Sequence, residues 1–371
     1  MILKIIKSVR VPLTLIMIFG ITGLLAPIMS HEFPVCIGSS GIKKHSPNIA
    51  QMFCVQPLIP YGPQMIDTNY KKAVPPLTLQ VGSPRKYTHW LGTDKYGRDV
   101  LAGLIHGTST ALLIGFISVF LAFLIGVPLG MASAYFGDHG IKVGWISMVT
   151  FVFSLPIALF YVITELRQTN SDFILIGLVL LILITMQLLV SKIKCKPWRI
   201  PLDLLVVHII GVRKSFPGIF LLLVLTALIS KPSAWNVIGI IALLGWADFA
   251  RLARAETLRV KSENYIANVQ MIGLGSWRIL WVHILPNIWP TLIVAFCFSV
   301  GGAILLEATI SFLGVGLPVE QVTWGKMLAD GRDMRAWWLV VFPGFCIFAI
   351  IWSLHGIASV LQDKQTRIFR T

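Results

Sequence analysis

The sequence predicts an all-helical protein that crosses a membrane several times, and three observations carry that prediction. Of the 371 residues, 56% are apolar and only 13% are charged, whereas a soluble domain carries about a quarter charged residues. The mean hydropathy is +0.80. Apolar runs of about 20 residues, the length that crosses the hydrocarbon core of a bilayer, recur along the chain with the charged residues clustered between them.

Eight apolar segments are predicted to cross the membrane. They cover about residues 11–29, 108–135, 143–165, 172–191, 203–230, 235–250, 286–310 and 338–361. The first segment also resembles a secretory signal, but it is long for one, and Ala26-Pro27 is a poor cleavage site. It is therefore predicted to stay as an anchor. Arg213 and Lys214 interrupt the fifth segment, so its crossing is predicted to begin near Phe216, with residues 200–214 at the inner interface.

The basic residues predict the orientation. Lys and Arg exceed Asp and Glu by 31 − 16 = 15, and they concentrate in loops that the positive-inside rule places in the cytoplasm. These are the loop at 192–199, the segment 251–278 and the tail 362–371. Both termini are thus predicted to be cytoplasmic, in a multi-pass inner-membrane protein. A nucleic-acid binder is disfavoured because the charges form no continuous stripe.

Four regions follow from these boundaries: an anchor at 1–29, an outer loop at 30–107, a transmembrane domain at 108–361 and the cytoplasmic tail. Cys36 and Cys54 share the outer loop, where a disulfide and two unpaired thiols both remain open. Gly126 and Gly130, with Pro128 between them, predict a close helix contact and a kink. Glu307 lies near the outer end of the seventh segment, either as a pathway residue or as a carboxylate with a structural partner.

Common catalytic patterns are absent from the sequence. There is no G-x-x-x-x-G-K-[ST] phosphate loop, no H-E-x-x-H and no G-x-S-x-G, and the eight His residues show no spacing typical of metal ligands. We therefore expect no catalytic residue, no metal and no cofactor bound by this chain. The pattern favours passage of a solute over catalysis.

The segment directly before the second span carries a specific resemblance. His89–Leu101 reads H-W-L-G-T-D-K-Y-G-R-D-V-L, which resembles the H-x-L-G-T-D-x-x-G-R-D-V motif of the permease subunits of oligopeptide, dipeptide and nickel importers, of the second-permease type. The matching site positions are Gly92, Thr93, Asp94, Gly97, Arg98 and Asp99.

A second resemblance lies in the cytoplasmic segment 250–290. It is similar to the E-A-A-x-x-x-G loop, followed by L-P, of binding-protein-dependent importers, and 303–328 also matches these permeases. The resemblance implies a short helix that docks on an ATPase, ends at Gly273 and returns to the membrane at Pro286. The alternative is a basic helix on lipid headgroups. The implied coupling loop spans about 251–285, and its site positions are Tyr265, Ala267, Asn268, Gly273, Leu285 and Pro286.

Three departures from the family pattern stand out. Ala267 replaces the Glu of the E-A-A triplet, so the detailed ATPase contacts are expected to differ. The C-terminal G-D-x-L-R-D pattern is degraded to His355–Ser359. The family has six crossings, and the extra pair is predicted to be a hairpin inserted at about 143–200, an even number that preserves the sidedness of everything downstream.

The resemblance implies a pore-forming subunit of an ATP-driven importer. The expected partners are a second, different permease, two ATP-binding subunits that use ATP and Mg inside, and a solute-binding protein outside, all in contact with membrane lipid and with no nucleic acid. The cargo, whether oligopeptide, dipeptide, nickel or another small solute, is not determined by these motifs. A self-sufficient secondary transporter is the runner-up, although midplane polar residues and an inverted repeat are not visible. An intramembrane enzyme is disfavoured further.

Overall fold

The computed structural model describes most of the transmembrane region and parts of the outer loop. The described residues are 2–30, 35–38, 41–43, 53–55, 59, 61–66, 73–79, 88–138, 141–144, 150, 181, 185, 197–229, 232–318 and 320–368. The two crossings predicted within 143–165 and 172–191 therefore lie outside the described residues, apart from isolated positions.

Helices dominate the described residues. In chain order they are α1 (Ile2–Met29), α2 (Val100–Phe136), α3 (Leu202–Ser215), α4 (Gly218–Ala227), α5 (Ala234–Lys261), α6 (Asn264–Met271), α7 (Ser276–Arg278), a π-helical turn (Ile279–Ile284), α8 (Leu285–Phe312), α9 (Trp324–Met334) and α10 (Trp337–Ile368). The all-helical prediction is confirmed, with only short strands beside the bundle.

The described strands form three small antiparallel sheets with four pairings. They are β1 (Val35–Gly38), β2 (Gly41–Lys43), β3 (Phe53–Val55), β4 (Thr78–Leu79), β5 (Thr88–His89), β6 (Ile141–Gly144) and β7 (Pro197–Ile200). One sheet has the order β2-β1-β3, and β4 pairs with β5 and β6 with β7. In the β1–β3 register, Cys36 lies opposite Cys54, so the backbone brings the two positions together. A disulfide and two unpaired thiols both stay open alternatives.

Five helical segments are long and apolar enough to cross a membrane. They are Val11–Met29, Val100–Phe136, Ala234–Lys261, Ser276–Phe312 and Trp337–Asp363. The helices α3 and α4 form a sixth crossing if they are counted as one span, and they are bent by 82° relative to each other. The bend falls at Phe216-Pro217 because proline disfavours a helical conformation in the residue before it. Helix α4 begins at Gly218, close to the predicted start of the fifth crossing at Phe216.

Three helices extend beyond the predicted crossings. Helix α2 begins at Val100 rather than at residue 108, so the end of the outer motif is already helical. Helix α5 continues to Lys261 rather than stopping at 250, because basic residues end an apolar run without ending a helix. The seventh span begins at Ser276 rather than at 286, so Pro286 lies inside the helical run.

Helices α2 and α5 pack side by side through the predicted glycine pair. A Cβ on Gly126 would overlap the carbonyl oxygen of Trp246, and a Cβ on Gly130 would overlap that of Ala250. Removing the Cβ lets two backbones approach closely, which is the usual role of small residues in membrane helices. The structural interpretation of the pair is confirmed.

The bundle has two distinct ends. At one end, the Lys261 ammonium donates to the carbonyl oxygens of Ala134 (3.3 Å) and Tyr135 (2.7 Å), which joins the ends of α2 and α5 next to α6. At the other end, the start of α2 meets α9 and the start of α10. The segments singled out by sequence therefore lie at opposite ends of the bundle, one at each predicted membrane face.

Candidate functional site

Helix α6 lies across the end of the bundle and is anchored by a single side. Ile266 is fully buried, and Val269 packs against the main apolar core. Burying one side chain of this size contributes about 1.5–3 kcal/mol. Ile266 and Val269 are three residues apart and therefore lie on the same face of α6, the face that packs against the membrane domain. The residues on the opposite face, the free side of the helix, are exposed.

The free side of α6 is apolar at its C-terminal end. Met271 and Ile272 are 78% and 77% exposed, and the predicted positions Ala267 and Asn268 are exposed beside them. A contiguous apolar patch outside the membrane spans is typical of a protein-binding surface. Ala267 stands where the family pattern has Glu, so this position carries no carboxylate.

Gly273 ends the helix as predicted. Its φ is +81°, in the left-handed region that favours glycine. Its amide donates to the carbonyl oxygen of Gln270 at 3.0 Å. A Cβ at this position would meet no atom within 4 Å, so the requirement for glycine comes from the backbone conformation and not from crowding.

The chain returns to the membrane over a longer stretch than the sequence indicates. Gly275 precedes α7 with a φ of −62°, and the π-helical turn leads into Leu285 and Pro286. Asn287 donates to the Tyr265 hydroxyl at 2.8 Å and thereby ties α6 to this return. Burial raises the pKa of Tyr265, and the nearby Glu263 adds to the effect.

The outer motif forms a closed turn before α2. The Asp94 carboxylate accepts from the amides of Tyr96 (2.8 Å) and Arg98 (2.9 Å) and from the Arg98 guanidinium at 2.6 Å. Gly97 has a φ of +81° inside the turn. Asp94 and Arg98 therefore hold the loop shape, and these contacts explain why both residue types stand at that spacing.

Asp99 links the motif to the helix. Its carboxylate accepts from the amide of Ala102 at 2.8 Å and so caps α2. Its other oxygen lies 2.9 Å from the ring nitrogen Nδ1 of His89, which is fully buried. The His89 ring stacks on Tyr61 at 4.4 Å between centroids. An N-cap of this kind stabilises a helix by about 1 kcal/mol.

Gly92 and Thr93 join the motif to neighbouring segments. Gly92 has a φ of +82°, and a Cβ there would lie 2.5 Å from the carbonyl oxygen of Val74. The Thr93 hydroxyl accepts from the Val74 amide at 2.9 Å. The Thr93 carbonyl accepts from the Trp338 indole at 3.2 Å. All six predicted motif positions thus meet in one structural unit.

Helix α9 completes this unit, and sequence reasoning did not single out its role. Lys95 pairs with Asp330 at 2.6 Å, and the bond to Asp330 raises the pKa of Lys95. Burial raises the pKa of Asp330. The buried Trp324 indole donates to the Leu104 carbonyl at 3.1 Å. The permease resemblance over 303–328, which ends in W-G-K-M-L at the start of α9, was the only local signal for this helix.

A small polar cleft lies between the motif and α9. Its lining includes Asp94, Arg98, Thr323, Lys326 and Asp330. Lys326 donates to the carbonyl oxygens of Pro318 and Gln321. Burial lowers the pKa of Lys326, and the positive charge of Arg98 acts in the same direction. Of the acidic groups in the lining, Asp94 pairs with Arg98, and Asp330 pairs with the nearby Lys95.

Glu307 lies in α8 and is only 1% exposed. Its Oε1 accepts from the Ser311 hydroxyl at 2.7 Å, one turn along the same helix. No hydrogen-bond partner for Oε2 is found among the described residues. The carboxylate is buried inside the bundle, and its observed partner is on its own helix. Across the described part of the chain, no cluster of three His, Cys, Asp or Glu side chains could hold a metal ion.

Comparison with known proteins finds one matching family model and several similar transport proteins. Residues 198–367 match the family model described as the binding-protein-dependent transport system inner membrane component. The dipeptide transport system permease protein DppC of Alkalihalophilus pseudofirmus is 27% identical over 82% of this chain and 79% of its own length. The glutathione transport system permease protein GsiD of Pectobacterium atrosepticum is 27% identical over 74% and 71%.

A third relative and one solved structure were also found. The probable D,D-dipeptide transport system permease protein DdpC of Escherichia coli is 26% identical over 76% of this chain and 75% of its own length. The inward-facing MetNI methionine ABC transporter aligns with a TM-score of 0.42 at 15% identity, over 70% of this chain and 96% of that one. The family match over residues 198–367 and the curated relatives at 26–27% identity show that the chain is similar to permease proteins of binding-protein-dependent transport systems, among them dipeptide permeases.

Proposed function

We propose that this chain is one of two pore-forming permease subunits of an ATP-driven importer that moves peptides, or a related small solute such as nickel, into the cell. A second, different permease completes the pore. Two ATP-binding subunits dock inside, where ATP and Mg are bound, and a solute-binding protein docks outside. The chain itself performs no catalysis and holds no cofactor, and both of its termini are cytoplasmic.

The observation that carries this proposal is the free side of α6. The helix is held by the buried Ile266 and leaves Met271 and Ile272 exposed beyond the membrane spans. An ATPase outside the membrane can move the spans only through an element that both partners hold. A short helix that is anchored on one side and apolar on the other meets that requirement.

The cargo class is supported by the relatives. The three curated relatives are named as transporters of dipeptides, D,D-dipeptides or glutathione, and all of these are small peptides. A peptide offers many backbone hydrogen-bonding groups and both charge signs, so we place selectivity largely in the solute-binding protein. The alternative, a self-sufficient secondary transporter, gains no support from the described residues.

Affinity copurification tests the assembly. A tagged chain, coexpressed with its neighbouring genes, should retain an ATPase and a second permease. The double variant Met271→Glu with Ile272→Glu should lose the ATPase while keeping the second permease, because two carboxylates replace the apolar surface. The matched control is Met334→Glu, at a residue that is 38% exposed at the other end of the bundle. Retention of the ATPase by the double variant, or its loss in the control, would contradict docking on α6.

A further inference from the structure

His355 is an ionisable residue on the surface of a predicted membrane span. It lies in α10, within the segment Trp337–Asp363 that is long and apolar enough to cross, and its side chain is exposed in the isolated chain. An ionisable side chain inside a span is costly against lipid and usually faces protein or a water-filled cavity. The exposed imidazole therefore marks a face of α10 that lipid does not cover.

The position along α10 separates His355 from the charged tail. At 1.5 Å per residue, His355 lies about 27 Å from Trp337 and about 12 Å before Asp363. It is thus in the inner part of the span. Exposed apolar side chains recur every three or four residues along the surface of α10 that leads to His355. This stripe consists of Val341 (52% exposed), Phe345 (67%), Phe348 (63%) and Trp352 (47%).

The neighbouring helix α8 presents an aromatic ring and small residues beside the imidazole. The Phe298 ring of α8 meets the His355 ring at 4.8 Å and 65°. The next turn of α8 carries glycine: a Cβ on Gly301 would lie 3.7 Å from the Nε2 of His355, and one on Gly302 would meet nothing within 4 Å. An aromatic ring and two glycines on α8 thus lie beside the imidazole.

We propose that His355 lines the translocation pathway in the inner half of the membrane and contacts the cargo as it passes. This inference rests on the proposed function, since a pathway exists only when a second permease completes the pore. Neutral imidazole offers one donor and one acceptor, and protonated imidazole offers two donors. Either form can hydrogen-bond the carbonyl or carboxylate oxygens of a peptide. The apolar stripe then forms the wall of the same pathway.

Thiol accessibility tests this placement. In the assembled complex, in inside-out vesicles and with the five native cysteines replaced by Ser, His355→Cys is treated with an anionic, membrane-impermeant methanethiosulfonate. Because thiolate forms in water and not in lipid, we expect labelling about tenfold or more above a lipid-facing site. The matched control is Leu13→Cys on α1. Leu13 is 47% exposed, and its neighbour Pro12 packs against Gly356, so it lies at the depth of His355.

The outcomes separate the alternatives. Labelling at 355 that far exceeds labelling at 13, and that changes when ATP binds the complex, supports the pathway position. Equal labelling at both positions would mean that depth alone exposes them to water near the inner headgroups, and no labelling at 355 would mean that lipid covers it. Either result overturns the inference.

Uptake measurements provide the second arm. At matched membrane levels, His355→Leu should reduce uptake of a dipeptide and tripeptide panel several-fold, and His355→Gln should restore part of it because it keeps hydrogen-bonding groups. Unchanged uptake by His355→Leu would contradict the cargo contact. If instead the wild-type chain retained no ATPase or second permease, the proposed function itself would fail, and the copurification experiment reports that separately.

Discussion

Gly273 ends α6 with a φ of +81°, a conformation that costs a residue with a Cβ about 1 kcal/mol. Gly273→Asp adds a negative charge where the helix dipole disfavours anions. We predict that this variant inserts normally but loses most uptake, through weakened docking or coupling. The measurement is uptake together with ATPase copurification at matched membrane levels.

Gly275→Asp is the matched control, because it adds the same charge two residues away. Gly275 has a φ of −62° and precedes α7 as its N-cap, where Asp is favourable. We expect it to keep most of the uptake. Equal behaviour of the two Asp variants would contradict a special role for the end of α6.

Glu307 provides a second prediction at the residue scale. Its carboxylate is buried, and the contact observed in the structure is the bond from Ser311. Glu307→Gln keeps the shape and the acceptor for Ser311 while removing the charge, so membrane level and uptake should stay near those of the wild type. Glu307→Lys places an ammonium in the same apolar site and should lower the membrane level sharply. Loss of uptake by the Gln variant at normal level would show that the charge itself takes part in transport.

Helix α9 and the outer motif act together at the scale of elements. The Lys95–Asp330 pair and the bonds from Trp338 and Trp324 tie the motif loop, α9 and the starts of α2 and α10 into one unit, which we call the outer clamp. A Cβ on Gly325 would overlap the Ala308 carbonyl, so α8 belongs to the outer clamp as well. Such dense packing favours movement of the outer clamp as one body.

A charge swap tests the outer clamp. Lys95→Asp and Asp330→Lys should each destabilise the purified complex, by about 1 kcal/mol for a partly exposed pair, because each places two like charges together. The double variant should recover most of the thermal stability and the uptake. Arg332→Ala removes a nearby exposed ion pair with Asp333 and serves as the control with little expected effect. A double variant no more stable than the worse single variant would exclude a direct contribution of the pair.

Local signals in the sequence were sufficient for some elements. Gly273 and Pro217 act on the backbone next to them. The end of α6 at Gly273 and the beginning of α4 at Gly218, close to the predicted crossing start at Phe216, therefore appear where the sequence indicates. The contacts of the outer clamp were not predictable, because Lys95 and Asp330 are far apart along the chain and no local pattern encodes their pairing. The start of α2 was missed because polar residues such as His106 interrupt the apolar run without interrupting the helix.

At the scale of the whole molecule, the predicted extra pair of crossings, within 143–200, is the main departure from the six crossings that the family resemblance implies. The strands β6 and β7 flank the predicted insertion, and Gly144 lies opposite Pro197 in their antiparallel pairing. The chain therefore returns close to the point from which it leaves. An insertion with adjacent ends can be removed without moving the segments on either side.

We predict that replacing residues 145–196 with a two-residue Asn-Gly turn preserves the core. Asn-Gly suits the tight turn of an antiparallel pair, and removal of two crossings leaves the downstream sidedness unchanged. A reporter fused to Thr371 should stay cytoplasmic, and the second permease should still copurify. A reversed reporter at normal membrane level would mean that the removed segment crosses an odd number of times.

The central claim is that this chain forms a pore only as part of an ATP-driven assembly. The most direct measurement is peptide uptake into proteoliposomes that contain the chain alone, or the chain with its second permease, ATPases and solute-binding protein. Uptake should require the complete assembly and ATP, and the double variant Met271→Glu with Ile272→Glu should abolish it. Full uptake by the chain alone, without ATP, would contradict the claim.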